Sequence, residues 1–177
     1  VSFTGGHLSI TKEQHENISN DTLKNDVSNY ENKVGYIVRS TGQYYNRNSE
    51  IIVNKASINE ALPVIELTKT EKDKACWGVI NTVSSDDDND VKRLIINSLG
   101  EGAIIVSNYN GNIANGDYIT SSPLEGMGMR QDDDILHSYT VAKVTQDEEF
   151  TSDYQTIEHI NGQTYRYKLV GCSYHCG

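Results

Sequence analysis

Short apolar runs, each closed by Gly, Asn, Asp or Ser, recur along this chain. They fall at residues 34–39, 50–53, 62–67, Cys76–Thr82, Leu94–Ile96, Ala103–Ser107, Asp117–Thr120, Tyr139–Val144 and Tyr165–Val170. Such runs between turn residues predict strands, and strands at this spacing predict a mainly β, antiparallel barrel or sandwich-like domain. Helix signals are few. Thr68–Lys74 predicts one or two turns, with Thr70 as cap and Asp73 three residues later. Asp21–Tyr30 predicts another short piece, and neither has the apolar periodicity of an organising helix. Residues 11–33 are polar and read as irregular. Residues 147–163 are acidic and polar and close on Asn161-Gly162, a hairpin turn signal.

The pattern also echoes itself. Gly35-Tyr36-Ile37-Val38-Arg39-Ser40 is followed by Gly78-Val79-Ile80, and Gly116-Asp117-Tyr118-Ile119-Thr120-Ser121 by Tyr139–Val144. In each pair a glycine opens a short strand, a loop intervenes and a second apolar strand returns. Two related β-units folded together would produce this, and so would chance.

A length of 177 residues suits one domain. It divides into an irregular N-terminal arm (1–33), a β core (34–144), and a terminal hairpin with a cysteine-containing tail (145–177). Val1–His7 reads as an interior strand and turn, the expectation for a chain cut from something longer.

Composition alters this picture in two respects. Only 36% of residues are hydrophobic, and 11 Tyr stand against 2 Phe and 1 Trp. Tyrosine suits half-wet surfaces, so either the protomer completes its burial in an oligomer or its strands carry aromatic cross-strand pairs. The net charge is -10, with 15 scattered basic residues among 25 acidic ones. Phosphate binding needs clustered cations, so nucleic acid and anionic membrane are poor partners. No apolar run approaches the roughly 20 residues that span a bilayer.

Candidate chemistry is sparse. Cys76 lies in an apolar strand and reads as a core residue. Cys172, His175 and Cys176 crowd the tail, where zinc, a local disulfide and simple packing or oligomer contacts all remain open. Ser84–Asp90 concentrates negative charge and reads as a solvated loop. As a calcium site it lacks the glycine and distal glutamate of an EF-hand. Asn97-Ser98-Leu99-Gly100-Glu101-Gly102 sets a carboxylate between two glycines, where it is either a turn residue capping backbone donors or an acid–base group unshielded by neighbours. Asp134 and His137, with Asp132 or Asp133 to orient them, are either an acid–base pair or a solvated loop tip. No nucleotide-binding or metalloprotease signature and no nucleophile elbow is present, and no cofactor is expected.

Together, Ser2–Gly5 with His7, Ile58–Pro63, Trp77–Ile80, Asn97–Gly102, Asn115–Ser122, Gln131–His137, Tyr139–Lys143 and Gly171–Gly177 resemble the G2 peptidase domain. That domain is the C-terminal, self-cleaving intramolecular chaperone of phage tail spikes and related viral fibres. The resemblance implies a homotrimer attached to an upstream fibre or β-helical shaft of the same chain. It further implies a carboxylate-dependent cut at or near Val1-Ser2, and a location in the virion or, once released, in the host cytoplasm. Under it Glu101 is the acid–base residue, Asn97 polarises the scissile carbonyl, Ser2 contributes a hydroxyl, and His7 lies near the cut. The alternative is a non-enzymatic fibre tip that binds a host receptor or glycan.

Overall fold

The computed structural model describes residues 4–17, 22, 25–45, 62–86 and 91–176. Its strands are β1 (Thr4–Thr11), β2 (Ile37–Tyr45), β3 (Leu62–Leu67), β4 (Cys76–Asp86), β5 (Val91–Ser107), β6 (Tyr118–Ser121), β7 (Gly128–Arg130), β8 (Thr140–Val144), β9 (Gln155–Glu158) and β10 (Thr164–His175). Two short helices, α1 (Lys12–Glu16) and α2 (Ser28–Glu31), and the helical residues Thr22 and Asn25 are the helical elements among the described residues. The mainly β class holds. The strand expected at 50–53, motif residues 58–61 and the acidic residues 87–90 lie outside the described residues.

Several local expectations change. Thr68–Lys74 is a turn and not a helix, because Lys72 takes a left-handed φ of 52° and Asp73 is drawn into other bonds. Its carboxylate accepts from Ala75 N at 2.9 Å and from Arg39 Nε at 2.6 Å. Conversely, the polar stretch after Thr11 is helical. There Thr11 and Gln14 form a reciprocal cap, Gln14 N donating to Thr11 Oγ1 (3.1 Å) and Thr11 N to Gln14 Oε1 (2.9 Å). Ser84–Asp86, expected in a loop, extends β4. The arm and the tail are not appendages, since β1 and β10 both pair with β5.

The strands join in one mixed ten-stranded sheet, not in a closed antiparallel barrel. Within it the pairing runs through two circuits that share β5. The first is β1–β3–β2–β4–β5 and back to β1; the second is β5–β7–β6–β8–β10 and back to β5. Five strands cannot alternate in direction around a ring, so each circuit must contain a parallel pair. Those pairs are β1–β3 and β5–β7, and the other pairings are antiparallel. The wholly antiparallel expectation fails for this reason.

The second circuit repeats the first, strand for strand and in register. Val38 pairs with Gly78 and Leu67, and its counterpart Ile119 with Ala142 and Arg130. Each circuit carries a bulge at the same place, leaving Trp77 of β4 and Val141 of β8 unpaired. On the shared strand, Gly6 faces Asn97 in the first circuit as Glu101 faces Ser173 in the second. The echo read from glycines and apolar strands is therefore structural, pairing β2 with β4 and β6 with β8.

Each circuit surrounds its own core. Val38, Ile80, Leu94 and Ile96 belong to the first, and their equivalents Ile119, Val144, Val170 and Cys172 to the second. Cys172 thus occupies the position of a core isoleucine. The hairpin expected at Asn161-Gly162 is present: β9 and β10 pair from Glu158↔Thr164, and Gly162 takes a φ of 81°.

Beside the second core, Glu148 accepts from Lys168 Nζ at 2.8 Å and from Phe150 N at 2.8 Å. The bond from Lys168, then that from Phe150, holds its carboxyl below the ordinary glutamate range despite burial. A carboxyl depressed in the fold adds stability above its unfolded pKa, and that stability is lost as pH falls through the folded value. Glu148→Gln should therefore lower Tm by a few degrees at neutral pH. Melts taken across the acid range should show the gap to wild type closing below about pH 4.

Candidate functional site

β5, of 17 residues, changes partners midway. Residues up to Asn97 are flanked by β4 and β1, and residues from Leu99 onward by β10. The segment Asn97–Gly102 is the handover between circuits, so it stays extended and is not the turn that two glycines suggest. Bulges bracket Asn97. Against β1, the register passes from Gly5↔Leu99 to Gly6↔Asn97, leaving Ser98 over; against β4, Ile80↔Ile96 is followed by Thr82↔Ile95, leaving Asn81 over. Bulges re-aim side chains, and here one brings Asn81 onto Asn97.

The resulting hydrogen bonds are directional. Tyr174 Oη donates to Ala103 O at 2.7 Å and accepts from Ala103 N at 2.9 Å. With its one hydrogen used, the hydroxyl can act toward the nearby Asn97 side chain only as an acceptor. The Asn97 oxygen, on the other side, accepts from Asn81 Nδ2 at 3.1 Å. Burial raises the Tyr174 phenol above its ordinary value, opposed by its bonds to Ala103 and Asn97. Two glycines make this approach feasible. A Cβ on Gly102 would overlap the Tyr174 hydroxyl, and one on Gly78 would overlap the Asn97 carbonyl oxygen.

These groups open on a cleft of about 620 Å³ whose walls include Asn81, Asn97, Glu101, Thr145, Ser173 and Tyr174. The cleft lies at the seam of the repeat, so its walls are equivalent pairs: Asn81 with Thr145, and Asn97 with Ser173. Glu101 is exposed and lies directly across the ladder from Ser173, a pairing that sets two side chains about 5 Å apart on one face. A carboxylate and a buried amide donor on one cleft can accept a proton at one point while an N–H holds an oxygen at another. That is the minimum for cleaving an acyl group.

Of the sequence-expected residues, Glu101 and Asn97 both line this cleft, four positions apart along β5. His7 does not. It pairs with Ile96, so it faces away from Gly6 and Asn97, and its ring packs on Trp77 at 5.3 Å between centroids. Ser2 lies outside the described residues, but the strand leading from it begins in place, since Thr4 pairs with Gly100, the residue before Glu101.

The remaining candidates disperse. Cys76, Cys172 and Cys176 are free thiols, pushed up to about 12 by burial, as befits packing residues. A local disulfide is ruled out by extension: Cys172 lies in β10, and Cys176 continues that ladder through its N–H to Ser98 O at 3.2 Å. Four residues of strand separate the two sulfurs' backbones by about 13 Å. Among the described residues no cluster of three His, Cys, Asp or Glu side chains suited to a metal is formed. In the 131–140 loop it is Asp133, not Asp134, that meets His137, both carboxylate oxygens lying 3.0 Å from Nε2. His137 also stacks on Tyr139, while Asp132 pairs with Lys72 at 3.3 Å. This is a hydrogen-bonded surface loop.

Sequence reasoning missed Asn81, Ser173 and Tyr174. The last two stand in a stretch singled out for its thiols, and nothing in the sequence marks Asn81. No protein-family model, curated protein or solved structure matches the chain.

Proposed function

We propose that this chain is a self-cleaving trimerisation domain of the G2 peptidase type, which cuts the polypeptide where it enters the domain. The observation that carries the reading is the pairing of Thr4 with Gly100. It brings the incoming chain in beside Glu101, with Asn97 further along the same ladder opposite Gly6, so the substrate is held by its own strand before any chemistry begins. Such positioning replaces an encounter by an intramolecular step.

In this reading Glu101 takes a proton from water as the water oxygen bonds to the scissile carbonyl carbon. For the Asn97 N–H to donate to the carbonyl oxygen as it gains charge, the chain ahead of Thr4 must turn back along β5, since Asn97 itself pairs with Gly6. The C–N bond then breaks and Glu101 returns the proton to the departing amine. His7 has no part in these steps, because its ring is committed to Trp77 on the other face. Trimerisation gives the cut its purpose. A module that associates by itself raises the effective concentration of the upstream chains, and its removal makes the assembled shaft kinetically persistent.

The test is expression of this domain with an upstream stretch of its parent chain. Two fragments should appear on a denaturing gel, with a new N-terminus at or just before β1, and the domain should sediment as a trimer at micromolar concentration. A parent that stays whole in a domain that stays monomeric overturns the reading.

A further inference from the structure

We propose that Asn81 and Tyr174 are positioning residues that lock the Asn97 side chain in one of its two amide orientations, so that the cleft presents an N–H donor to a peptide carbonyl oxygen. The inference rests on the reading of the cleft as a self-cleaving site, which it deepens by naming what the site recognises: a neutral carbonyl acceptor, not a cation or an amine.

An asparagine amide is nearly symmetric in shape and opposite in function at its two ends, so a catalytic amide needs neighbours that forbid the flip. Here Tyr174 restricts one end and Asn81 matches the other. Tyr174 is 5% exposed and spends its one hydrogen on Ala103 O, so it can only accept from Asn97. Asn81 approaches from the opposite side with its nitrogen and donates to the Asn97 oxygen. A flipped Asn97 would set oxygen against oxygen at Tyr174, and would keep its bond to Asn81 only with that side chain flipped as well. Asn97 itself is 7% exposed, which leaves little room for a third arrangement. With its oxygen end taken by Asn81, Asn97 has its Nδ2 hydrogens left to donate.

The first circuit departs from its repeat to achieve this. At the position of Asn81 the second circuit has Thr145, whose N–H donates to Gly171 O at 3.0 Å and which is not a bulge. At the position of Asn97 it has Ser173, whose hydroxyl rotates freely and has no fixed end. Bulge, amide and buried phenol occur together in one copy alone.

Asn81→Asp separates this role from mere packing. The substitution keeps the shape, but an ionised carboxylate can only accept, so Asn97 must turn its nitrogen toward residue 81 and its oxygen toward the cleft. At neutral pH the first-order cutting rate should fall about 10-fold or more, as for loss of one oxyanion donor. As pH is lowered, the protonated carboxyl donates again. The ratio of variant to wild-type rate, taken at each pH to cancel titration of Glu101, should then climb back toward one. In parallel, the side-chain amide resonances of Asn97 in the ¹⁵N-labelled domain should shift in Asn81→Asp at neutral pH and return at low pH, and Tyr174→Phe should shift one of the pair.

Unchanged Asn97 resonances in a folded Asn81→Asp variant overturn the proposal, as does a rate ratio that stays flat with pH. Should the wild type never cut, the self-cleaving reading fails by itself, and the amide resonances still decide whether Asn81 and Tyr174 hold Asn97.

Discussion

Replacing Glu101 with Gln is expected to abolish the cut and spare the fold. Glu101 is exposed on the wall of the cleft, within a strand whose backbone pairs continue on either side, so an isosteric amide disturbs no packing. Surface substitutions of this kind usually change stability by less than about 0.5 kcal/mol. The chemical change is categorical, because an amide oxygen does not take up a proton at ordinary pH. A positioned acid–base group contributes roughly 10²–10⁴ in rate, so cleavage should slow by at least about 100-fold. A time course on a denaturing gel reads the rate, a thermal melt checks the fold, and sedimentation checks that the uncut domain still associates. Those three readouts separate chemistry from chaperoning. Cutting at an undiminished rate in Glu101→Gln would move the proton transfer to another group, and Ser173 across the ladder would be the first place to look.

How far the sequence discloses this arrangement depends on which relation each feature belongs to. β3 is legible to the residue, because its apolar run from Leu62 to Leu67 stands by itself between polar segments. β5 is not. Its middle, Asn97–Gly102, is polar and glycine-rich and reads as a turn between two strands. It stays extended because β1, β4 and β10 hold it from both sides, a case of tertiary pairing overriding local preference. The repeat surfaces only as an echo, since the equivalent core positions pair Val with Ile, Ile with Val, and Ile with Cys at 96 and 172. What the two units share is register, and register leaves little trace in residue identity. The same holds for the site. Glu101 could be picked out by its flanking glycines, and Asn97 by its nearness to Glu101. Asn81 becomes functional only through a bulge, which is a relation between two strands and not a property of either. Glu101 occupies the place that Gly6 fills in the first unit, so the acid is itself a departure from the repeat. Local rules are broken where the cleft is, as expected when function and packing make different demands.

Gly78 is where those demands meet most sharply, and Gly78→Ala is expected to be among the most damaging single-methyl changes in the molecule. Gly78 has a φ of 154°, a conformation in which side chains are strained by about 1–3 kcal/mol. A Cβ there would also overlap the Asn97 carbonyl oxygen and lie 2.8 Å from an Ile96 methyl. The obstacle is mostly backbone, which cannot swing aside as a side-chain tip can, so overpacking adds about 1–3 kcal/mol more. The combined loss should be about 3–5 kcal/mol, enough to unfold much of a marginal domain. Two internal comparisons support this. Ala142, the equivalent residue in the second circuit, is fully buried and carries its methyl group without strain, so the register as such does not demand glycine. What does is the closer approach of β4 to β5 at Asn97, beside the Asn81 bulge. Gly42 supplies the control, since its φ is 85° but no atom lies within 4 Å of a Cβ built there. Gly42→Ala should cost only the conformational share, about 1 kcal/mol. Urea unfolding of both variants at one protomer concentration tests the difference, fixed because association would otherwise shift the midpoint. Equal losses in the two variants would mean that left-handed conformation alone matters, and that β4 is not pressed onto the strand that carries Asn97.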